Sequence, residues 1–209
     1  MSDIHGEVER FWNMMSLIEF SEQDTLYIIG DVIDRNPGGS ALLKAILNTP
    51  NMVMLLGNHE KMCLDSLGAD PSGGALARWY RNGGDITHTE LKTWPAADVA
   101  QLLSAIANLP LSVEIEVGGQ VYHLVHGFPG QTERDQIWGR PTADTPRPFP
   151  DRIAVFGHTA ACKLYDDYDH PFRIWHGDGM IDIDCGCAYR SEHRRLGCLR
   201  LDDMKEFYI

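Results

Sequence analysis

The sequence predicts an α/β protein whose functional side chains lie at the ends of buried strands. Short apolar runs alternate with amphipathic helical stretches in the first sixty residues, a pattern typical of α/β folds. Three turns there combine glycine with carboxylate, amide or imidazole side chains, at residues 3–6, 30–35 and 57–60. Because a strand end delivers the residues that follow it to the rim of a sheet, we expect these side chains to meet there.

The first half of the chain contains two predicted buried strands, each ending at a glycine. Apolar residues at helical spacing, such as Val8, Phe11 and Met15, predict an amphipathic helix directly after the first turn. The predicted elements are a helix at 7–18, a strand at 25–29, a helix at 40–47 and a strand at 52–56.

The second half changes from helical to strand periodicity after Pro110. Gly118 and Gly119 form a two-residue hairpin turn between two alternating strands. The predicted elements are a helix at 96–109, strands at 111–117, 121–125 and 153–156, a proline-rich loop at 140–152, and short strands at 172–209. With no repeat or break in composition, we expect a single domain over 1–209, with a helical insertion at about 61–110.

Composition and charge exclude several classes of protein. The chain has 209 residues, is 44% hydrophobic and carries a formal net charge of -12, which disfavours a nucleic-acid partner. It has no apolar run of about 18 residues for a membrane span, and no leader pattern for secretion. Five cysteines, odd in number and clustered late, favour a reducing, cytoplasmic setting. We interpret the basic stretch at 190–200 as a solvated turn and strand, so attraction of a phosphate would depend on metal and a few arginines.

The candidate ligands are carboxylate, amide and imidazole groups without cysteine. Two further histidines, His126 and His158, follow predicted strands beside glycines. Mixed oxygen and nitrogen ligation suits Mn, Fe or Zn better than Ca or Mg, and we expect two divalent metal ions, with Mn²⁺ preferred. Two cations about 3.5–4 Å apart can lower the pKa of a shared water and clamp a phosphoryl group during in-line attack.

Five ordered motifs carry a resemblance to a known family. They read Asp3-Ile4-His5-Gly6, Gly30 to Arg35, Gly57-Asn58-His59-Glu60, His126-Gly127 and Gly157-His158-Thr159. Their order and wording resemble the calcineurin-like metallophosphoesterases, specifically the serine/threonine protein phosphatase branch with its bacterial and phage members. The resemblance spans Asp3 to about Gly186. It implies two packed mixed β-sheets flanked by helices, an αββα sandwich, with metals at the carboxyl ends of the strands.

The resemblance also implies six metal ligands for two cations. Asp3, His5 and Asp31 would hold the first metal, and Asp31, Asn58, His126 and His158 would hold the second. Asp31 would bridge them, since one carboxylate can share its two oxygens.

Further residues would act on the substrate. By the same resemblance, His59 would be the general acid that protonates the leaving alkoxide, oriented by Asp34. Arg35 and Arg140 would grip the phosphate oxygens. Asn82 begins an Asn-Gly-Gly segment that resembles a loop over the site and would contact substrate.

Each of these assignments has a structural alternative. Asp34 and Arg35 could form a surface salt bridge, Trp138 beside Arg140 could be a core residue, and the segment at Asn82 could be an ordinary turn. Cys185, Cys187, Cys198 and His193 could form a zinc site, but their spacing favours cysteines that are buried small hydrophobes. Asp184, before a glycine turn, could support the ligands.

Two departures from the family pattern affect the backbone. Asn36 stands where the family has glycine, so we expect a positive φ there. Only two residues precede Asp3, so either the first strand is vestigial or the true start lies upstream.

The leading hypothesis is a phosphomonoesterase that acts on phosphoserine or phosphothreonine through a water bridged by two metals. A second hypothesis is hydrolysis of diadenosine tetraphosphate or another small phosphoester, whose enzymes usually read D-L-Q-G where this chain has Asp3 to Gly6. A third is a non-catalytic metal-binding scaffold, which the intact His59 and Asp34 disfavour. The expected partner is thus a phosphoprotein or a small phosphoester, with no nucleic acid and no membrane.

Overall fold

A computed structural model describes residues 1–68, 71 and 73–209 of the chain. Helices and strands alternate through these residues, as an α/β protein requires. The helices are α1 (Val8–Leu17), α2 (Gly39–Leu47), α3 (Asn58–Leu67), α4 (Ala75–Arg81), α5 (Gly84–Leu91), α6 (Ala96–Ala107), α7 (Glu133–Trp138) and α8 (Cys162–Tyr165). The strands are β1 (Leu26–Ile28), β2 (Met52–Met54), β3 (Ser112–Val117), β4 (Gln120–Val125), β5 (Ile153–Phe156), β6 (Trp175–Gly177), β7 (Met180–Asp182), β8 (Gly197–Arg200) and β9 (Lys205–Tyr208).

The larger sheet is mixed and has the strand order β3-β4-β5-β7-β6. Its three central strands run parallel, and β3 and β6 pair antiparallel at the two edges. The remaining strands form a parallel pair, β1 with β2, and an antiparallel hairpin, β8 with β9. The predicted α/β class with mixed sheet flanked by helices is confirmed. Of the three sheets among the described residues, the five-stranded one contains both parallel and antiparallel pairs.

Alternation of side chains along the strands sorts the core into layers. Leu26 and Ile28 of β1 pack with the helices, whereas Ile29 packs into a second core shared with Leu124 of β4. On the five-stranded sheet, the next residue, Val125, belongs to a third core on the opposite face. Successive strand residues point to opposite faces, so the two groups of strands pack face to face with helices outside, as in the predicted αββα sandwich.

The first six residues run beside β1 without forming a regular strand. Asp3 N–H donates to the carbonyl of Gly30 at 3.2 Å, and His5 N–H donates to the carbonyl of Asp31 at 3.0 Å. The short first segment is therefore held in place by backbone hydrogen bonds. These bonds set two predicted ligands beside a third.

Four helices, α3 to α6, lie between β2 and β3, in the predicted helical segment. Residues 69, 70 and 72 of that segment lie outside the described residues. The predicted helix at 96–109 is confirmed as α6, whereas the short α7 was not predicted. Among the described residues, no helix is long and apolar enough to cross a membrane.

Candidate metal centre

The first group of candidate ligands comprises His5, Asp31 and His59, whose donor atoms lie within 4.8 Å of one another. His5 donates its Nδ1–H to the carbonyl of Ile33 at 3.0 Å, which leaves the Nε2 lone pair free. That atom lies 3.6 Å from Oδ2 of Asp31 and 3.9 Å from Oδ1 of Asp3. The Nε2 atom is buried without a hydrogen-bond partner among the described residues, as expected of an atom that can coordinate a metal ion.

The second group comprises Asp31, His126 and His158. Nε2 of His126 lies 2.9 Å from Oδ1 of Asn58 and 3.4 Å from Oδ1 of Asp31. Nε2 of His158 is buried and unpartnered in the described part of the chain. Asp31 belongs to both groups, and its two oxygens face different histidines, so its carboxylate can bridge two cations.

The tautomer of His126 shows which of its ring atoms would face a cation. His126 donates Nδ1–H to the carbonyl of Ile29 at 2.7 Å. A neutral ring would then turn its Nε2 lone pair toward two oxygens, which is repulsive. Either a proton or a metal ion must lie there. Burial alone would lower the pKa of His126, but the Asp31 carboxylate raises it to about 10.

The site concentrates buried carboxylates that require positive charge. Among the described residues, the buried acids are Asp3, Asp31, Asp34, Glu60, Asp182 and Asp184. Burial raises the pKa of Asp3, and burial with the nearby Asp3 charge raises the pKa of Asp184 to about 8. Buried like charges are unfavourable unless compensated, so the donor set fits two divalent cations.

His59 belongs to the first group, but its hydrogen bonds differ from those of the other members. Its Nδ1–H donates to Oδ2 of Asp34 at 2.6 Å, and its Nε2 lies 3.9 Å from Oδ2 of Asp31. Nη2 of Arg35 donates to the same Nε2 at 3.2 Å. With Nδ1 held by a carboxylate, Nε2 is the atom available for proton transfer. Asp34 and Arg35 thus contact His59 and do not form the surface salt bridge considered above.

The other two predicted substrate-binding residues lie on opposite sides of the site. Arg140 donates from Nη1 to the carbonyl of His158 at 2.9 Å, which places its guanidinium beside the second group of ligands. Asn82 donates to the carbonyl of Arg78 at 2.9 Å and lines a groove together with Arg35. Among the described residues, Arg140 contacts a candidate ligand only through the backbone of His158, and Asn82 has no hydrogen bond to a candidate ligand.

The backbone of the site is in an unusual conformation. In the described part of the chain, nine residues other than glycine have positive φ, and six of them are predicted site residues, namely Asp3, His5, Asp31, Asp34, Arg35 and His158. Each such residue costs about 1–3 kcal/mol, so the fold maintains strain where the ligands converge. The prediction of a positive φ at Asn36 was wrong: the turn takes its left-handed residues at Asp34 and Arg35, and the Asn36 side chain donates to the carbonyl of His5 at 2.9 Å.

Two glycines let the ligand-bearing turns approach one another. A Cβ on Gly57 would lie 2.3 Å from Oδ1 of Asp31, and one on Gly30, where φ is +93°, would lie 2.8 Å from Nδ1 of His126. A side chain at either position would occupy the space of a candidate ligand. The glycine in each motif therefore has a direct steric role.

Sequence reasoning missed two buried residues that support the site. Glu60 accepts the backbone N–H groups of Asp31 at 2.9 Å and Val32 at 2.8 Å. Trp79 donates its indole N–H to Asp34 at 2.7 Å. The sequence signal for the contact between Trp79 and Asp34 was the Asn-Gly-Gly segment. A Cβ on its last glycine, Gly84, would lie 2.1 Å from the indole nitrogen of Trp79.

The candidate metal groups of the described residues include neither a cysteine nor Asp184. All five cysteines are free and buried, which agrees with their interpretation as small hydrophobes. Asp184 is buried and accepts the backbone N–H of Gly186 at 2.8 Å, so it shapes the turn after β7.

Two donor groups that share one carboxylate at the strand ends of an α/β sandwich define a candidate binuclear metal centre of a hydrolase. Residues 1–178 match the family described as Calcineurin-like phosphoesterase, and the chain belongs to that family. The resemblance recognised in the motifs is thereby confirmed.

The chain is similar to relatives with two different activities in their names, a protein phosphatase and a dinucleoside tetraphosphatase. Serine/threonine-protein phosphatase 1 of Salmonella typhimurium is 31% identical over 134 residues, which are 63% of this chain and 59% of that protein. This chain thus spans about three fifths of that relative. The symmetrical bis(5'-nucleosyl)-tetraphosphatase of Klebsiella pneumoniae is 22% identical over 99% of this chain and 92% of its own length.

Solved structures support the fold. The crystal structure of a metallophosphoesterase from Sphaerobacter thermophilus is similar with a TM-score of 0.60 and 16% identity, covering 100% of this chain and 85% of that one. At this identity the similarity shows the fold alone.

Proposed function

We propose that this chain is a metal-dependent phosphomonoesterase that removes phosphate from serine or threonine residues of proteins. The observation that carries the proposal is the position of His59, which is fixed by Asp34 and lies 3.9 Å from the carboxylate shared by both ligand groups. An imidazole so placed can protonate a leaving alkoxide beside a metal-held phosphate. The proposed arrangement is a single domain.

The proposed metal ligands are Asp3, His5 and Asp31 for one cation and Asp31, Asn58, His126 and His158 for the other. Bound divalent cations, with Mn²⁺ preferred for this mixed donor set, would supply Lewis acidity and a nucleophilic water for in-line attack. The unpartnered Nε2 atoms of His5 and His158 support this assignment.

The protein side chains would bind and protonate the substrate. Asp34 accepts the Nδ1–H of His59, so the proton given to the leaving alkoxide would be carried on Nε2 of the imidazolium form of the ring. Arg35 lies against that atom, and Arg140 lies beside His158. Two guanidinium groups on either side of the ligands would hold the phosphate oxygens by paired, charge-assisted hydrogen bonds.

The second candidate is hydrolysis of a dinucleoside polyphosphate. The Klebsiella relative carries that name and is similar over nearly the whole chain. The first motif favours the protein phosphatase, because the dinucleoside enzymes usually have glutamine where this chain has His5. His5 also presents its free Nε2 to Asp31 at 3.6 Å, as a ligand would.

A substrate panel tests the proposal. The Mn²⁺-loaded enzyme is compared on phosphoserine and phosphothreonine peptides, diadenosine tetraphosphate and para-nitrophenyl phosphate. We expect the highest kcat/KM on a phosphopeptide. A higher kcat/KM on the dinucleoside polyphosphate would reject the protein phosphatase assignment in favour of the second candidate.

The proposed setting is the cytoplasm. Its support is the state of the five cysteines, which are free and buried. Such thiols are typical of a reducing compartment.

A further inference from the structure

An open groove of about 860 Å³ extends from Arg35 between the loop after α4 and the loop before β8. Arg81 and Asn82 line one wall, and Arg190 and Arg194 line the other. Its volume lies within the range of about 300–1,000 Å³ that ligand pockets occupy. Since Arg35 also touches His59, the groove begins where the proposed acid acts.

The groove is positively charged although the chain is acidic. Eleven residues line it, of which four are arginines and none is aspartate or glutamate. In the whole chain, 30 acidic residues outnumber 18 basic ones. The groove therefore has an excess of arginine although the chain as a whole is acidic. A low-dielectric cleft lined by one sign of charge concentrates ions of the opposite sign, so this groove should attract anions.

Three of the four arginines have no acidic partner in the described part of the chain. Arg194 donates to Glu7 at 2.6 Å. Arg35, Arg81 and Arg190 have no carboxylate within 4.0 Å among the described residues. An exposed arginine that no acid neutralises keeps its planar fork available for a carboxylate or a phosphate. The stretch interpreted from the sequence as a solvated turn, at 190–200, thus contributes one wall of a cationic groove.

We propose that this groove binds a second anionic group of a phosphopeptide substrate, a carboxylate or a phosphate that flanks the phosphorylated residue. This inference rests on the proposed function, since Arg35 links the groove to the site of phosphate cleavage. Arg81 and Arg190 are the residues that would distinguish acidic from neutral flanking sequences. They would act on binding and not on the chemical step.

The test uses the full chain loaded with Mn²⁺ and matched peptides around one phosphoserine. Two flanking positions, on the amino-terminal side in one series and on the carboxyl-terminal side in another, hold glutamate, glutamine or a second phosphoserine. The variants are Arg81→Gln, Arg190→Gln and the double variant. Arg200→Gln is the matched control, because Arg200 is an exposed arginine on β8 that pairs with Asp203 outside the groove. Thermal unfolding confirms that each variant is folded.

We expect the wild type to prefer a glutamate or phosphoserine flank over glutamine by about tenfold in kcat/KM, because charge-assisted hydrogen bonds are stronger than neutral ones. The double variant should lose this preference through KM, while its turnover of para-nitrophenyl phosphate and the behaviour of Arg200→Gln stay at the wild-type level. Preference for glutamate alone or phosphoserine alone would identify which anion the groove takes.

Two results would overturn the inference, and they differ. If the wild type hydrolyses acidic and neutral peptides equally, or the double variant keeps the preference, the groove has no such role while the proposed function stands. If no phosphopeptide is hydrolysed although dinucleoside polyphosphates are, the proposed function fails and a peptide is excluded as the occupant of the groove.

Discussion

The indole N–H of Trp79 donates a 2.7 Å hydrogen bond to Oδ2 of Asp34. The same carboxylate oxygen accepts from Nδ1 of His59 at 2.6 Å. Trp79 is fully buried on α4, and its ring stacks on His88. Helix α4 therefore contacts, through Trp79, the carboxylate that holds the proposed general acid, and this contact helps to fix the orientation of Asp34.

Replacing Trp79 with phenylalanine should reduce kcat more than it changes KM. The substitution keeps an aromatic ring but removes the indole donor, so a buried carboxylate loses one of its hydrogen bonds at a cost of about 1–3 kcal/mol. A less firmly held Asp34 orients His59 less well, and kcat should fall several-fold. Steady-state kinetics and urea unfolding measure the two effects.

Trp94→Phe is the matched control, because Trp94 packs at the edge of the helical core and lies under Lys44, away from the site. It should leave kcat unchanged. Equal losses of kcat in the two variants would show that Trp79 acts on the fold in general and not through Asp34.

Replacing His59 with asparagine should lower kcat by two or more orders of magnitude, as the loss of a general acid does. The metal content should stay near the wild-type value, since His59 is proposed as the acid and not as a ligand. His123→Asn is the control, because that histidine lies on β4 and contacts Glu114. Unchanged turnover in His59→Asn would reject the role of acid, and loss of one metal equivalent would make His59 a ligand, which its place beside His5 and Asp31 also permits.

Replacing Glu60 with glutamine should destabilise the turn that bears Asp31. Both carboxylate oxygens of Glu60 accept backbone N–H groups, from Asp31 at 2.9 Å and from Val32 at 2.8 Å. Glutamine keeps one acceptor and turns an NH₂ group toward the other donor, which should cost about 1–3 kcal/mol. Urea unfolding and Mn²⁺ titration test this, and wild-type values in both would show that the carboxylate is dispensable.

Among the candidate ligands, those that directly follow a strand are the easiest to predict from the sequence. His126 after β4 and His158 after β5 arise from such local patterns, because a strand end fixes the direction of the next few residues. Trp79 could not be found in this way. It lies 45 positions from Asp34, and helical periodicity alone describes a buried tryptophan as core.

The backbone conformation was predicted less well for a related reason. Substitution of a family glycine by Asn36 suggested a left-handed residue at that position. The turn instead has positive φ at Asp34 and Arg35, which non-glycine residues adopt only when the surroundings determine it. Those surroundings include the bond from Arg35 N–H to the carbonyl of Gly83 at 3.1 Å, a contact between distant segments.

Without metal, the protein should lose stability as the pH rises from about 6.5 to about 8, the upper part of the range between the unfolded and folded pKa values of two buried carboxyl groups. Burial and the charge of Asp31 raise the pKa of Glu60 to about 7, and burial and the charge of Asp3 raise the pKa of Asp184 to about 8. A carboxyl group whose pKa is raised by folding contributes stability that is present below its unfolded pKa and is lost as the pH passes its folded pKa. The lowered pKa values of His5 and His158 change the free energy of unfolding only below the ordinary histidine pKa of about 6.5.

Urea unfolding of chelator-treated protein between about pH 6.5 and 8.5 measures this loss, which should level off above about pH 8. Bound Mn²⁺ should raise the free energy of unfolding and flatten its pH dependence, because ligand binding to the folded state stabilises it. An unfolding free energy that is flat with pH in the metal-free protein would contradict the raised pKa values of Glu60 and Asp184. An unfolding free energy that Mn²⁺ leaves unchanged would contradict the proposed cation site beside them.

Replacing Asp31 with asparagine should release metal, whereas Asp34→Asn should not. Asp31 is the one residue common to both donor groups, with Oδ1 3.4 Å from His126 and Oδ2 3.6 Å from His5. An amide offers one neutral oxygen in place of two shared anionic ones, so it cannot bridge two cations. Asp34 is equally buried, but among the described residues its carboxylate accepts hydrogen bonds from His59 and Trp79 and belongs to neither donor group. Atomic emission should find both metals in Asp34→Asn with a reduced kcat, and fewer than two in Asp31→Asn. Full occupancy of both sites in Asp31→Asn would refute the bridging role, since the remaining ligands would then suffice to hold each cation separately.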